Sequence, residues 1–376
     1  MTNTKSLSRR GFAKILGAGA AYTVLRPSIV LSSTALRLDD VPEKAPSVVR
    51  LSSNENPYGP SPAALKAMTD GFGLAWRYPD EHQDELVAEL AKLNNVSPDY
   101  IQLGAGSGEI LKLAAVAYTG PTKKLVTADP TFEAIGHHAS VSRAQIAKVR
   151  LAADYSHDLP KMLDAASDAG LVYICNPNNP TASITPKGDL RAFLAKVPRQ
   201  TMVLVDEAYH HYVETNDYES VIPLVRDYPN LIVARTFSKI YGMAGLRCGY
   251  CVTRPENLEP MRAHQPFDTV NIMAIVAALA SVKDTEHVAQ GHRANSEVRK
   301  YVCTELDKLG YHYIPSQANF MMIDLRREVR PVIAAMRDRH VEVGRFFPPL
   351  PNFMRVTVGT RPQMETFVST FREAMA

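Results

Sequence analysis

The feature that most constrains the fold is a series of short apolar segments that alternate with stretches of helical pattern. Seven such segments are found at residues 101–103, 125–128, 147–151, 171–175, 202–205, 231–234 and 248–252. Strands with apolar residues at consecutive positions are buried on both faces, which is typical of a parallel sheet covered by helices. The sequence therefore predicts an α/β domain built on a mixed, mostly parallel sheet.

The pattern changes after about residue 266 and predicts a smaller α+β domain. Long helical segments come first there, followed by short strands and a final helix, at residues 271–281, 286–309, 319–324, 341–343, 354–358 and 362–375. We divide the chain into a leader at 1–35, an N-terminal arm with part of the small domain at 36–75, a large domain at 76–265 and a small C-terminal domain at 266–376.

The net charge of +3 comes from the leader. The first 35 residues contain five basic and no acidic side chains, which leaves 37 basic and 39 acidic residues in the rest of the chain. This balance gives no reason to expect nucleic-acid binding.

Paired arginines mark the leader. Arg9 and Arg10 precede Phe12, Lys14 and a short apolar run at 15–25, a pattern that resembles a twin-arginine export signal. We therefore expect a periplasmic or exported protein that contacts the membrane only through this signal. A short amphipathic helix, a retained membrane anchor and a cytoplasmic location are the alternatives.

Two cysteines form a C-x-x-C pattern that invites a metal or redox interpretation. Cys248 and Cys251 lie in a predicted strand, where residues three apart point to opposite faces. A second pair of ligands is also missing from the sequence pattern, so we expect no metal site.

The first candidate for chemistry is Lys239. A single lysine after a strand is usually a solvated surface residue, but this one follows Ser238 and precedes Arg247 in a glycine-rich run. An amine, a hydroxyl and a guanidinium suit an imine with a phosphorylated aldehyde, since the amine is the nucleophile and the other two hold the phosphate.

Two further segments fit the same kind of ligand. Asp206 ends a buried strand and is followed by Tyr209, so its carboxylate can pair with a protonated pyridine nitrogen, although a helix cap is the simpler interpretation. The turn at 103–109 contains three glycines between a strand and a helix, and backbone N–H groups in such a turn bind anions.

Seven ordered motifs carry a resemblance to a known family. They are Asn54–Pro60, Arg77–Asp80, Asn176–Thr181, Asp206–Tyr209, Ser238–Lys239, Ala318–Phe320 and Arg355–Thr360. With them the chain resembles the fold-type I aminotransferases that depend on pyridoxal 5′-phosphate (PLP), and among these the histidinol-phosphate aminotransferases, from Leu51 to the C-terminus.

The resemblance implies a role for each cofactor residue. Lys239 would form the imine and shuttle the proton, Asp206 would pair with the pyridine nitrogen, and Tyr209 and Asn179 would bind the phenolic oxygen. Phe132 would stack on the ring, and the phosphate would be bound by Gly106, Ser107, Ser238 and Arg247. Tyr78 would reach the phosphate of the neighbouring subunit, which implies a homodimer with shared sites.

The resemblance also implies a substrate-binding set. Arg355 would clamp the substrate carboxylate, Arg345 corresponds to a family arginine that helps to bind an anionic group, and Tyr58 and Asn319 complete the set. One position departs from the family: Ala182 stands where the family has glycine, so that turn must tolerate a Cβ atom.

Three functions remain open from the sequence. The first is a transaminase that moves an amino group between an amino acid, or a histidinol-phosphate-like amine, and a 2-oxo acid by a ping-pong mechanism. The others are a PLP-dependent decarboxylase or lyase on the same fold, and a non-catalytic PLP-binding protein. The identity of the donor and the acceptor stays open, because an exported enzyme would not meet histidinol phosphate in the cytoplasm.

Overall fold

The computed structural model describes residues 48–376, and the predicted leader lies outside this range. The strands are β1 Val49–Arg50, β2 Ile101–Gly104, β3 Lys124–Asp129, β4 Ile146–Arg150, β5 Ala169–Cys175, β6 Met202–Asp206, β7 Leu231–Thr236, β8 Gly249–Thr253, β9 His312–Ile314, β10 Phe320–Asp324, β11 Val341–Glu342 and β12 Phe353–Thr357. The α-helices are α1 Pro62–Gly71, α2 Asp80–Leu93, α3 Ser107–Tyr118, α4 Ala134–Val141, α5 Leu159–Ala165, α6 Lys187–Lys196, α7 Pro255–Arg262, α8 Ile272–Lys283, α9 Thr285–Lys308, α10 Val329–Asp338 and α11 Arg361–Met375.

The large sheet confirms the predicted α/β architecture. Its seven strands lie in the order β2-β8-β7-β6-β5-β3-β4. Only β8 runs antiparallel to its neighbours β2 and β7, and the other pairs are parallel. The carboxyl ends of β5, β6 and β7 therefore meet at one edge, where open α/β sheets bind ligands.

Both faces of the large sheet are buried. Successive residues of β6 alternate between two apolar cores, with Val203 and Val205 in one and Leu204 in the other. Cys248 and Cys251 are free thiols in these two different cores, which explains why the C-x-x-C pattern cannot chelate a metal. Within residues 48–376, no group of three or more His, Cys, Asp or Glu side chains is arranged to hold a metal ion.

A second lobe forms around the antiparallel sheet β12-β10-β9. Its core contains Leu51 together with residues from α9, α10, α11 and the strands between them. Strand β1 joins this lobe because it pairs in parallel with β11, with Val49 opposite Val341. Helix α8 packs instead against α1 and α2 beside the large sheet. The exact domain boundaries stay a prediction.

The turn that departs from the family has the conformation for which glycine is normally used. Ala182 has a φ of 59° and is fully buried. Its N–H donates to the Asn178 carbonyl at 2.7 Å, and its carbonyl accepts from the Gln317 N–H at 2.8 Å. These bonds hold the left-handed backbone, which costs an L-residue about 1–2 kcal/mol.

None of the helices between residues 48 and 376 combines the length and the apolar character that crossing a bilayer requires.

Candidate active site

A cavity of about 760 Å³ lies at the carboxyl edge of the large sheet, against the second lobe. Most residues predicted for the site line it: Ser107, Phe132, Asn179, Asp206, Tyr209, Ser238, Lys239, Arg247, Arg345 and Arg355. The fold thus brings together side chains that are up to 248 positions apart in the sequence.

Lys239 lies in the loop between β7 and β8, and its amine points into the cavity. Its Nζ donates to the Asn54 carbonyl at 2.9 Å and lies 5.5 Å from the centre of the Tyr209 ring. Burial and, second to it, the nearby Arg355 guanidinium together lower the pKa of Lys239 to about 8. About one-tenth of the amine is therefore neutral, and nucleophilic, at pH 7.

Asp206 ends β6 and is almost completely buried. Its Oδ2 accepts from the Tyr173 hydroxyl at 3.0 Å, and its Oδ1 accepts from the Ala208 N–H at 3.1 Å. Burial nevertheless raises the pKa of Asp206 to about 6, because the two hydrogen bonds compensate only part of the lost hydration. A cationic partner in the cavity would restore the ionised carboxylate.

A chain of hydrogen bonds links Tyr209 to Arg355. The Tyr209 hydroxyl accepts from the side-chain amides of Asn54 at 3.1 Å and Asn179 at 3.4 Å. The Asn179 Oδ1 in turn accepts from Arg355 Nη1 at 2.8 Å, and Arg355 Nη2 donates to the Ser52 carbonyl at 2.7 Å. The phenol and the guanidinium are therefore held in fixed positions on the same side of the cavity.

The glycine turn forms an anion cradle with Ser238 and Arg247. Gly106 has a φ of 78°, and a Cβ atom there would overlap the Arg247 guanidinium. Arg247 Nη1 donates to the Ser238 hydroxyl at 3.3 Å, and Ser107 is the first residue of the twelve-residue helix α3. Free N–H groups at a helix start, a hydroxyl and a guanidinium together suit a phosphate.

The mouth of the cavity is charged. Arg345 Nη2 donates to the Glu133 carboxylate at 2.6 Å, and the Arg345 guanidinium lies 4.3 Å from the centre of the Phe347 ring. Phe132, beside Glu133, also lines the cavity and is 40% exposed, so its ring face is accessible to a ligand.

Four predicted residues do not line the cavity, and one of them, Gly106, lies against the Arg247 guanidinium in the cradle described above. Tyr78 is 79% exposed, and Tyr58 is about half exposed, so neither contacts the cavity of its own subunit. Asn319 is buried behind the cavity, where its Nδ2 donates to the Asn54 carbonyl at 3.1 Å and to the Glu55 carbonyl at 3.2 Å. It supports the segment that receives Lys239. A substrate contact by Tyr58 and Asn319, and a contact of Tyr78 with the cofactor phosphate of the neighbouring subunit, stay predictions.

Sequence reasoning missed three residues that shape the site. Asn54 bonds both Lys239 and Tyr209, and its φ of 54° turns the backbone toward them. Tyr173 supports Asp206 from the neighbouring strand, and Glu133 pairs with Arg345. The sequence contained no signal for these roles. In the structure, the register of β5 on β6 places Cys175 opposite Asp206, and Tyr173 lies two residues earlier on the same face of β5.

The residues present fit PLP. The anion cradle suits the phosphate of PLP, and a Cβ atom at position 106 would fill this cradle. The buried carboxyl of Asp206 suits the pyridinium nitrogen. The hydrogen-bonded pair Tyr209 and Asn179 suits a phenolic oxygen, and the Lys239 amine suits the aldehyde.

Comparison with known proteins gives the family. The model of the family described as aminotransferase class I and II matches residues 46–371. The histidinol-phosphate aminotransferase of Moorella thermoacetica is 40% identical over 334 residues, which is 88% of this chain and 86% of that protein. The protein of the same name from Symbiobacterium thermophilum is 41% identical over 87% of this chain and 91% of its own.

A solved structure agrees with this result. The histidinol-phosphate aminotransferase of Sinorhizobium meliloti, in complex with pyridoxal-5′-phosphate, superimposes with a TM-score of 0.81 and 26% identity, covering 87% of this chain and 90% of that chain. The matches span both lobes and the whole cavity. The chain therefore belongs to the class I and II aminotransferase family and is a transaminase that depends on PLP.

Proposed function

We propose that this cavity transfers an amino group from an amino acid, or a histidinol-phosphate-like amine, to a 2-oxo acid in a ping-pong cycle. The observation that carries the proposal is the position of Lys239. Its amine, with a pKa of about 8, lies in a single cavity together with the anion cradle, the buried Asp206 and the fixed guanidinium of Arg355.

Bound PLP supplies a ring that withdraws electrons from the substrate Cα. Asp206 would hold a proton on the ring nitrogen, because a cation beside this buried carboxyl favours its ionised form. Tyr209 and Asn179 would bind the phenolic oxygen, and Gly106, Ser107, Ser238 and Arg247 would hold the phosphate. The Lys239 amine would take the proton from the substrate Cα and deliver it to the C4′ carbon of the cofactor.

Arg355 favours transamination over decarboxylation. Its guanidinium is buried and anchored by Asn179 and the Ser52 carbonyl, while its Nε has no hydrogen-bond partner among the described residues. A planar donor held in this way binds a carboxylate in two contacts and keeps it in place. With the carboxylate fixed, the Cα proton is the group that leaves.

The dimer is part of the proposal. Four aromatic side chains on the described surface are largely exposed, at 66% to 97%: Phe72, Trp76, Tyr78 and Phe267. Exposed apolar groups that lie together mark interaction surfaces, and Phe72, Trp76 and Tyr78 stand within seven consecutive residues. We assign this surface to a second copy of the chain, so that Tyr78 of one subunit completes the phosphate site of the other.

Export is also proposed. Arg9 and Arg10 begin a leader that has no acidic residue, and the cavity requires both lobes and a bound cofactor before it can work. A route that carries folded proteins is compatible with this requirement. For an exported enzyme, free amino acids are better candidate donors than the histidinol phosphate in the names of the relatives.

The activity is tested by a half-reaction screen. Single amino acids and histidinol phosphate are added to the PLP-loaded enzyme, and the visible absorbance of the cofactor bound to Lys239 is followed. We expect at least one donor to remove this absorbance and 2-oxoglutarate or another oxo acid to restore it. Lys239→Ala is the control, since it retains cofactor without the lysine-bound absorbance and should lose turnover by several orders of magnitude. Normal turnover by this variant would contradict the assignment.

Asp206→Asn tests the role of the buried carboxyl. Because the folded-state pKa of about 6 lies above the usual value of 3.8, burial of Asp206 costs stability as pH rises through this range. We expect the cofactor-free variant to be more stable than the wild type by about 3 kcal/mol at pH 8, and this difference to vanish toward pH 4. Denaturant unfolding measures it.

Adding PLP should reverse the order of stability, because only the carboxylate pairs with the ring nitrogen. An Asn variant that is less stable than the wild type without cofactor at pH 8 would assign Asp206 a purely structural role.

Shared sites are tested with mixed dimers. Subunits with Tyr78→Phe are combined with subunits with Lys239→Ala, each inactive or weakened alone. If Tyr78 crosses the interface, the hybrid has one site with both lesions and one intact site, and it should show about half of the wild-type activity at limiting PLP. Hybrids that never exceed the parental variants would remove the shared-site proposal.

The leader is tested in cells. Replacing Arg9 and Arg10 with lysine preserves the charge but removes the paired guanidinium groups. We expect active enzyme to be retained in the cytoplasm with unchanged specific activity, as measured by fractionation and a transamination assay. An entirely cytoplasmic wild-type chain with its leader intact would refute export and make histidinol phosphate the leading candidate donor.

A further inference from the structure

The mouth of the cavity carries an ion pair that takes no part in the proton transfer proposed above. Glu133 precedes α4 beside the large sheet, and Arg345 follows β11 in the second lobe. Their side chains are 66% and 54% exposed, both line the cavity, and Oε2 of Glu133 lies 2.6 Å from Nη2 of Arg345. The pair therefore bridges the two lobes at the entrance.

Arg345 and Arg355 share one aromatic ring. The Arg345 guanidinium lies 4.3 Å from the centre of the Phe347 ring, and the Arg355 guanidinium lies 5.2 Å from the same centre. Arg355 is the inner group, which we assign to the carboxylate common to all substrates. A substrate with a second anionic group at its far end can therefore extend along Phe347 and reach Arg345.

Glu133 opposes such a substrate. A second substrate anion must share the Arg345 guanidinium with the Glu133 carboxylate or displace it, and two like charges so close together repel each other. An uncharged side chain meets a different surface, because the ion pair as a whole is neutral and lies beside Phe347, in a cavity that Ile333 and Val343 also line. An intact ion pair thus favours substrates with an uncharged side chain, and a broken pair favours substrates with an anionic one.

The pair is weak enough to exchange partners. Ion pairs between exposed side chains change an equilibrium constant by about fivefold or less. The other charges at the mouth do not replace it: Glu342 lies 3.9 Å from Arg50, and Arg337 forms no ion pair within residues 48–376. Displacing Glu133 would therefore leave Arg345 and Arg337 both available to an anion.

We propose that Glu133 is a specificity-determining residue. Glu133 stays paired with Arg345 while the substrate side chain is uncharged. When that side chain is anionic, the ion pair breaks and Arg345 binds the substrate anion. One cavity therefore accepts both classes of substrate in turn. The proposal rests on the transaminase function proposed above. Contact between Arg345 and a substrate anion already belongs to that function, and the competing role of Glu133 is the new element.

The test uses the holoenzyme and two ligands that have no amino group to transfer. Glutarate carries a second carboxylate, and 3-phenylpropanoate carries an uncharged ring. Calorimetry of Glu133→Gln should show a Kd for glutarate about fivefold lower than in the wild type, with the Kd for 3-phenylpropanoate changed less than about twofold.

Glu365→Gln is the matched control. Glu365 forms an exposed ion pair with Arg361 at 2.8 Å, with both side chains 53% exposed, on α11 and outside the cavity lining. This variant makes the same change in net charge and should alter neither Kd. In an Arg345→Gln background, the Glu133→Gln change should no longer alter the Kd for glutarate, because the guanidinium for which the two carboxylates compete is absent.

The rates of the half-reaction give a second readout. In Glu133→Gln, kcat/KM for glutamate should rise relative to kcat/KM for phenylalanine.

An unchanged ratio together with an unchanged Kd for glutarate would overturn the proposal. So would a loss of reactivity with lysine without any gain for glutarate, because Glu133 would then be a direct ligand for a cationic side chain. A wild type that reacts with no donor at all would instead refute the transaminase function, while the two Kd values would still decide the role of Glu133.

Discussion

The site depends on the parallel register of β5, β6 and β7. In this register Cys175 lies opposite Asp206, and Asp206 lies opposite Ala234. Because the three strands end at the same edge, the loops that follow them deliver an amide, a phenol and an amine to a single place. A shift of β6 by one residue would turn the carboxylate of Asp206 to the other face of the sheet. The geometry of the cavity is thus set by backbone pairing before any side chain contributes.

The second lobe is attached to this edge by buried polar contacts. Arg355 from β12 reaches Asn179 of the large sheet and the carbonyl of Ser52, and the Asn54 N–H donates to the Thr357 hydroxyl at 2.9 Å. These bonds hold the arginine in position before a substrate arrives. A preorganised donor loses little side-chain freedom on binding, which increases the free energy available for recognition.

The sheet and most of the cofactor site were predictable because their signals are local. Apolar runs predict buried strands, and Lys239 and Asp206 stand in short motifs directly after such strands. Helix α10 was not predicted. It contains Pro331, but this residue lies in its first turn, where a missing N–H is tolerated. Asn54, Tyr173 and Glu133 were also missed. Each acts through a partner that is distant in sequence, and its residue type alone is compatible with a turn, a core position or a solvated surface.

The pairing of β1 with β11 has a consequence for the synthesis of the chain. The partner of the first described strand, β11, lies almost at the other end of the chain. The ribosome therefore needs roughly 15–60 s after it has made β1 before it has made β11. During this time Leu51 has no core to enter, and the adjacent segment that receives the Lys239 amine has no fixed position. A chain that stops before Val341 cannot assemble the cavity. Because of this pairing, the active site forms only after nearly the whole chain has been made. Fragments released earlier lack a cavity in which to bind the cofactor.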